Sequence, residues 1–346
     1  MPVAQPIPVV QAMPSDLAIA PEGVRRRARA AHMLGQNTGL ILAAVILFLS
    51  IVGFAAMFWL EQARLPGNFE ITSTVDNTMP LALAAIGQSV VVLTRGIDLS
   101  VGGVIDLTNA LGAIWLTGGV LHMIGVSVLI VLIGAAAGLL NGLLVGLGRL
   151  QPIVVTLATL SIFQGLAIRV LPQPGGAVPD GYTAFLVNPN QPTALVFLLI
   201  AIVGWMALRR SRLGVGIFAI GNDESSAAAL GVNAMRSKIA AYMIGGALYA
   251  LAGLFLAANA TAGDATTGDG YTLTSIVAVV LGGVNLFGGR GSAVGAICGA
   301  FITTMIVNIL FFAHINPLYQ SFYEGLFLVI AVVFGALIGR LVRGRA

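Results

Sequence analysis

An all-α fold, a polytopic bundle of about ten transmembrane helices with both termini cytoplasmic, is predicted by three observations. Hydrophobic residues make up 58% of the chain and charged residues 9%, where soluble domains carry roughly 45–50% and about 25%. Apolar windows near the ~20 residues that cross a bilayer recur along its length. The basic residues fall almost entirely on alternate connections between those windows, as the positive-inside rule requires. With a mean hydropathy of +0.98, most of the chain has lipid or protein as its solvent.

The elements follow in order. Residues 1–37 are proline-rich and carry the cluster RRRAR, which reads as a disordered basic tail on the cytoplasmic side. Residues 38–346 read as a single transmembrane domain. Its spans are 38–60, 78–95, 98–118, 124–148, 153–171, 192–208, 238–259, 271–284, 293–313 and 322–340. The eighth is short and the second and third nearly touch, so 98–118 or 271–284 can be re-entrant and the count runs from eight to ten. No small-residue cleavage site follows the first span, which therefore reads as a retained helix and not a signal peptide. With the N-terminus inside, 15 of the 17 basic residues are cytoplasmic, leaving Arg64 and Arg169 outside. The outer loops 61–77, 172–191 and 260–270 are rich in Pro, Gly, Asn and Thr. Forty-four glycines suit helices that approach closely in a bilayer. The basic pI of 9.6 points to loops held on anionic lipid, not to nucleic acid. Cys298, the only cysteine, lies in an apolar run and reads as a packing residue.

Two stretches break the apolar pattern. VVVLTRGIDLSVGG at 90–103 and VVLGGVNLFGGRG at 279–291 each place glycines and a polar residue at a span end on the cytoplasmic side. Aligning Gly96 with Gly283 puts Asp98 on Asn285 and Gly102 on Gly289, the pattern of a short internal repeat. Asp98 and Asn285 can cap the helices that follow, and Arg95 can pair with Asp98 three residues on. Asp106 lies two turns into the third span, where a carboxylate costs about 2.5–3.5 kcal/mol unless protein or water faces it. Gln88, Asn109, Asn141, Gln164 and Asn308 are the other polar residues within spans. Singly, each reads as an interhelical hydrogen bond; together with Arg95, Asp98, Asp106 and Asn285 they are candidates for a translocation path or gate suited to a hydroxyl-rich solute.

The longest cytoplasmic loop, 209–237, contains NDESSAAALG, which has the marks of a short helix. Asn222 can cap it, Asp223 and Glu224 favour its first turn, Ser225 and Ser226 follow, and Gly231 can end it. This helix is a candidate docking element for a cytoplasmic partner. The chain offers no P-loop, since its sole lysine, Lys238, sits in RSKIA and not in a G-x-x-x-x-G-K-[ST] pattern. There is no H-E-x-x-H, Cys/His cluster or G-x-S-x-G, so no catalytic, cofactor or metal site is expected.

LTRGIDLSVGG, IVVTLATLSIFQGLA at 153–167, AIGNDESSAAALGV at 219–232 and AVVLGGVNLFGGRGSAVGAICGA at 278–300 together resemble the membrane-spanning permease of bacterial carbohydrate ABC importers of the ribose, xylose and galactose group. The likeness runs from about residue 40 to about 340. It implies a permease subunit in the bacterial inner membrane, paired with a second copy as a homodimer or heterodimer. It also implies a periplasmic sugar-binding protein and a cytoplasmic ATP-binding subunit, with lipid around the spans. Residues 222–231 match the family's coupling segment, which carries two acidic residues followed by small ones. One departure is Arg95, where the family commonly has glycine in T-G-G-I-D-L-S-V-G; a less flexible turn is expected. Cargo would be a pentose, hexose or related polyol, with branched-chain amino acids or nucleosides as the alternative. A self-sufficient carrier coupled to protons or sodium through Asp98 or Asp106 is the competing class.

Overall fold

The computed structural model describes residues 22–316 apart from 189, with scattered positions from 319 to 329; for 22–38 only the backbone is described. Residues 1–21 of the expected tail, and most of the expected span 322–340, lie outside the described residues. The chain divides after Thr38 into two units. In the first, the described stretch from Glu22 is helical where a disordered tail is expected. The second carries the bundle.

The helices are α1 (Glu22–Gln62), α2 (Asn68–Val92), α3 (Val101–Trp115), α4 (Val120–Gly146), α5 (Pro152–Val170), α6 (Asp180–Leu186), α7 (Thr193–Arg210), α8 (Arg212–Asn222), α9 (Glu224–Ala229), α10 (Ala234–Ala260), α11 (Asp269–Leu281) and α12 (Ala293–Phe312). Among the described residues there are no strands, only a single bridge between Gly175 and Gly263. Among the described residues, seven helices are long and apolar enough to cross a membrane, and α3 and α11 are shorter apolar ones. Those two are the spans predicted at 98–118 and 271–284, and neither reaches the length of a full crossing.

Three predicted boundaries move for physical reasons. The second span starts ten residues early, at Asn68, because the polar run after it buries its hydroxyls by bonding them one turn back. Thr74 Oγ1 donates to the Glu70 carbonyl at 2.7 Å and Thr78 Oγ1 to the Thr74 carbonyl at 2.6 Å, which satisfies them inside an apolar helix. The loop expected at 209–237 holds α8 as well as α9; Ser211 Oγ caps α8 by accepting from Gly214 N at 3.1 Å, while Ile217 and Ile220 are buried. Inside the loop predicted at 172–191, α6 buries Tyr182 and Leu186.

Among the described residues, α2 is the most buried of the long helices, enclosed from Thr78 onward. Against it lies α10, which also runs along α4. The α4–α10 contact is built on small residues: a Cβ on Gly138 would stand 2.1 Å from the Tyr242 carbonyl oxygen, and one on Gly246 2.1 Å from that of Gly134. Backbones approach this closely only without side chains, the main source of helix association where lipid removes the hydrophobic drive. On the outside, α1, α4 and α7 expose Phe48, Leu121 and Leu199, a surface that water would not tolerate and lipid does.

Candidate translocation path and coupling site

The turn between α2 and α3 is the centre of the site. Arg95 N donates to the Val92 carbonyl at 2.9 Å and Gly96 N to that of Val91 at 3.3 Å, closing α2 with Arg95 in the left-handed region at φ 65°. That position is normally glycine's, because a Cβ there meets backbone. Asp98 Oδ1 then accepts from Ser100 N at 2.9 Å and Ser100 Oγ at 2.6 Å. From Ser100 a buried chain runs across two helices: Asn141 Nδ2 of α4 donates to Ser100 Oγ, and Thr159 Oγ1 of α5 donates to Asn141 Oδ1, both at 2.8 Å. Thr156 Oγ1 accepts from Leu99 N at 2.9 Å, so the turn is tied to α5 twice.

The expected Arg95–Asp98 pair does not form. The Asp98 carboxylate is buried on Ser100, while the Arg95 guanidinium donates from Nε to the Gly221 carbonyl at 2.8 Å and from Nη2 to the Asn222 carbonyl. Those carbonyls end α8, where orphan acceptors and the negative end of the helix dipole favour a cation. A second turn, after α11, meets the first. Gly283, at φ 74°, closes α11 as Arg95 closes α2, with Gly283 N on the Val280 carbonyl at 2.9 Å and Val284 N on that of Val279 at 3.1 Å. Asn285 Oδ1 accepts from Phe287 N at 3.1 Å, the counterpart of Asp98 and Ser100. The two turns therefore share their parts, but the left-handed residue matching Gly283 is Arg95 and not the aligned Gly96, since one residue fewer separates it from Asn285. They join directly: Gly289 N donates to the Leu93 carbonyl at 3.1 Å, and Asn222 Nδ2 reaches the Gly289 carbonyl at 3.3 Å.

Next to this junction, Asp223 caps α9, not the expected Asn222, whose side chain donates back to the Phe218 carbonyl of α8 at 2.9 Å. Asp223 Oδ1 accepts from Ser225 Oγ and Ser226 N, each at 2.6 Å. These bonds, the Ser225 hydroxyl first, hold the Asp223 carboxyl down at about 2. Glu224 pairs with Lys238 at 2.7 Å. Gly231, at φ 83°, ends the helix as expected, with Gly231 N on the Ala228 carbonyl at 2.9 Å and Val232 N on that of Ala227 at 3.0 Å. The helix leaves Leu230 86% exposed, beside the exposed serines.

The remaining polar residues join helices. One face of α3 lies along 264–272: Gly102 N donates to Thr272 Oγ1 at 3.2 Å, Asp106 Oδ1 accepts from Gly268 N at 2.5 Å, and Asn109 Oδ1 accepts from Asp264 N at 2.8 Å. Gln164 Nε2 of α5 donates to Asp269 Oδ1 of α11 at 2.7 Å in an exposed pair. Gln88 accepts from Tyr249 at 3.1 Å, and Asn308 reaches Thr74 at 3.5 Å. The predicted path residues thus fall into separate groups along the bundle, with Asp98 and Asn141 in one, Asp106 and Asn109 in another. Sequence reasoning passed over Ser100, Thr156, Thr159 and Tyr242, because hydroxyls in apolar helices commonly bond their own backbone. It also passed over Asp76, whose carboxylate is buried without a partner; Asp98, Asp106, Gln88 and Tyr242 each keep one unpartnered buried atom. Among the described residues no cluster could hold a metal ion.

Comparison with known proteins places this architecture. Residues 71–332 match the family described as "Branched-chain amino acid transport system / permease component". The chain belongs to this permease family. It is similar to the ribose import permease protein of Escherichia coli strain K12, 31% identical over 82% of this chain and 92% of that one. The ribose import permease protein of Bacillus subtilis strain 168 is 35% identical over 72% of this chain and 80% of that one. The autoinducer 2 import system permease protein of Salmonella typhi is 33% identical over 85% of this chain and 84% of that one. No solved structure matches. The permease is a multi-pass membrane protein, the seven long apolar helices among its described residues having the length and composition to span a bilayer.

Proposed function

We propose that this permease is the membrane subunit of an ABC importer in a bacterial inner membrane, carrying a sugar or related polyol inward under power from a separate ATPase. Both termini are cytoplasmic in this reading, and the spans number about ten when α3, α11 and the span expected at 322–340 are counted with the seven long helices. The observation that carries it is the junction of 93–96, 221–223 and 285–291 around Arg95. A helix with an exposed outer face, α9, is bonded through the end of α8 to the turns that close α2 and α11. Motion imposed on α9 from outside the chain therefore reaches both turns without an intervening flexible segment.

The basic residues support the orientation, since Arg95, Arg149 and Arg290 on connections, and Arg209, Arg210, Arg212, Arg236 and Lys238 at the ends of α7, α8 and α10, lie at the α9 end. The Gln164–Asp269 pair supports a second copy, because a polar pair exposed between two membrane helices is best covered by protein or a solute path. The ribose and autoinducer 2 relatives favour a small hydroxylated cargo over branched-chain amino acids or nucleosides. Recognition would rest with a periplasmic binding protein and energy with the ATPase, so the chain itself supplies path and hinge.

The test is co-purification from native membranes in mild detergent, with mass spectrometry and an ATPase assay on wild type and Leu230→Asp. Lysine at Asp223 would remove the α9 cap and confuse docking with unfolding, whereas Leu230 has no internal role to lose. A P-loop ATPase that travels with wild type and is lost from Leu230→Asp supports the reading. Absence of an ATPase from both samples, with solute uptake driven by a proton or sodium gradient, contradicts it.

A further inference from the structure

A cavity of about 500 Å³ opens at the α9 end of the bundle, between the α2–α3 turn, the end of α4 and the start of α10. Its walls carry Arg95, Arg149 and Lys238 against a single carboxylate, Glu224, with Tyr242 among its lining residues. The lining therefore carries three cations against one carboxylate, a positive wall around a space large enough for a small molecule. The roles of these groups differ. Arg95 spends Nε and one terminal nitrogen on the α8 carbonyls, which fixes the guanidinium in place. Lys238 is held by Glu224 at 2.7 Å. Arg149, in contrast, is exposed and forms no hydrogen bond or ion pair among the described residues. Tyr242 is fully buried, and its hydroxyl has no partner.

Arg95 and Arg149 both adopt the left-handed conformation, at φ 65° and φ 54°, as Ala63, Thr261 and His314 do where the chain leaves other helices, so the conformation marks a chain reversal and assigns no role by itself. What sets the two arginines apart is that both line the cavity while only one is engaged. The Arg95 guanidinium is held by the α8 carbonyls. Among the described residues nothing holds that of Arg149.

We propose that this cavity is a binding site for a phosphate-bearing ligand, held by Arg149 and Lys238 beside the fixed Arg95. Guanidinium and ammonium groups around a phosphate give charge-assisted hydrogen bonds, the strongest available to such a group. A bound phosphate competes with Glu224 for Lys238. The Glu224–Lys238 pair fastens the first turn of α9 to the second turn of α10, so ligand binding loosens α9 on that side and acts on the same segment that, in the proposed function, couples to a partner. The phosphate can belong to a soluble phosphomonoester or to a lipid headgroup, and both present the same oxygens.

The test uses the full chain in phosphatidylcholine nanodiscs. Equilibrium dialysis with radiolabelled glycerol 3-phosphate measures the soluble source, with glycerol as the uncharged control. Melting midpoints in nanodiscs with and without phosphatidylglycerol measure the lipid source. Saturable binding of glycerol 3-phosphate but not glycerol, weakened about tenfold or more by Arg149→Gln and tightened by Glu224→Gln, supports the site and assigns a soluble ligand. A midpoint raised by phosphatidylglycerol in wild type but not in Arg149→Gln supports it and assigns a lipid. The opposite signs for Arg149→Gln and Glu224→Gln separate the proposal from simple damage, which weakens binding in both. Absence of both effects in wild type, or wild-type behaviour of Arg149→Gln in both assays, overturns it.

Discussion

Replacing Arg95 separates backbone strain from mechanical connection. In wild type the residue holds φ 65°, which costs a non-glycine residue about 1–2 kcal/mol. Its guanidinium makes two bonds to the carbonyls that end α8; at this partly exposed place, where water can replace them, each contributes about 1 kcal/mol. Arg95→Ala keeps the strain and loses both bonds, a net loss of about 2 kcal/mol. Arg95→Gly loses the bonds but removes the strain, so the terms nearly cancel and the variant melts close to wild type. If the tether carries motion from α9 to the α2–α3 turn, both variants lose it equally. ATP-driven uptake by the reconstituted complex should then fall about tenfold in both, since ~1.4 kcal/mol of lost coupling is a factor of ten. Arg95→Lys, with one compact donor head, should recover part of it. Wild-type uptake in Arg95→Gly would refute the tether, and a glycine variant that melts below the alanine variant would refute the strain argument.

Four further outcomes follow from the geometry. Gly138→Leu, with a Cβ placed 2.1 Å from the Tyr242 carbonyl oxygen, should force α4 from α10 and cost about 3 kcal/mol or more, read as a collapse of the melting midpoint. Asn141→Leu leaves Ser100 and Thr159 without their shared partner and should cost about 1–3 kcal/mol, whereas Thr159→Ser should melt near wild type. Asp106→Asn retains an acceptor for Gly268 N, so ATP-driven uptake should persist; loss of uptake with normal melting would favour an ion-coupled carrier. Because the folded pKa of Asp223 is held down at about 2, below the ~3.9 of a free aspartate, its contribution to α9 is complete above pH 4 and lost as pH falls toward 2. The protection of the Ser226 amide, its exchange rate relative to the intrinsic rate at each pH, should fall over that window and stay level above it.

The fold was legible where composition decides it and obscure where polar atoms find partners within the chain. Long apolar helices such as α4 and α12 follow from hydropathy alone. The start of α2 does not, because its threonine hydroxyls are satisfied by local carbonyls that no hydropathy window counts. Gly231 was readable as a helix end because a left-handed stop is a local event. Arg95 was not, since a guanidinium three residues from a carboxylate suggests a local pair, while its true acceptors lie 126 and 127 positions away. The role of Asp223 was off by one residue for a related reason: Asn222 is also a good cap, and only the presence of α8 consumes it. Of the polar span residues, types were legible and groupings were not, because which helices meet is decided by glycine contacts such as Gly138 on Tyr242.

In the proposed function this permease moves a solute when a separate ATPase acts on α9. The most direct measurement is uptake of the radiolabelled solute that the binding protein retains, into proteoliposomes holding the chain with its co-purified ATPase and that binding protein, with and without ATP, for wild type and Leu230→Asp. Uptake should require ATP in wild type and be absent in Leu230→Asp, while the solute held in the binding protein is unchanged. Uptake that proceeds without ATP and follows an imposed proton or sodium gradient in both proteins would contradict it.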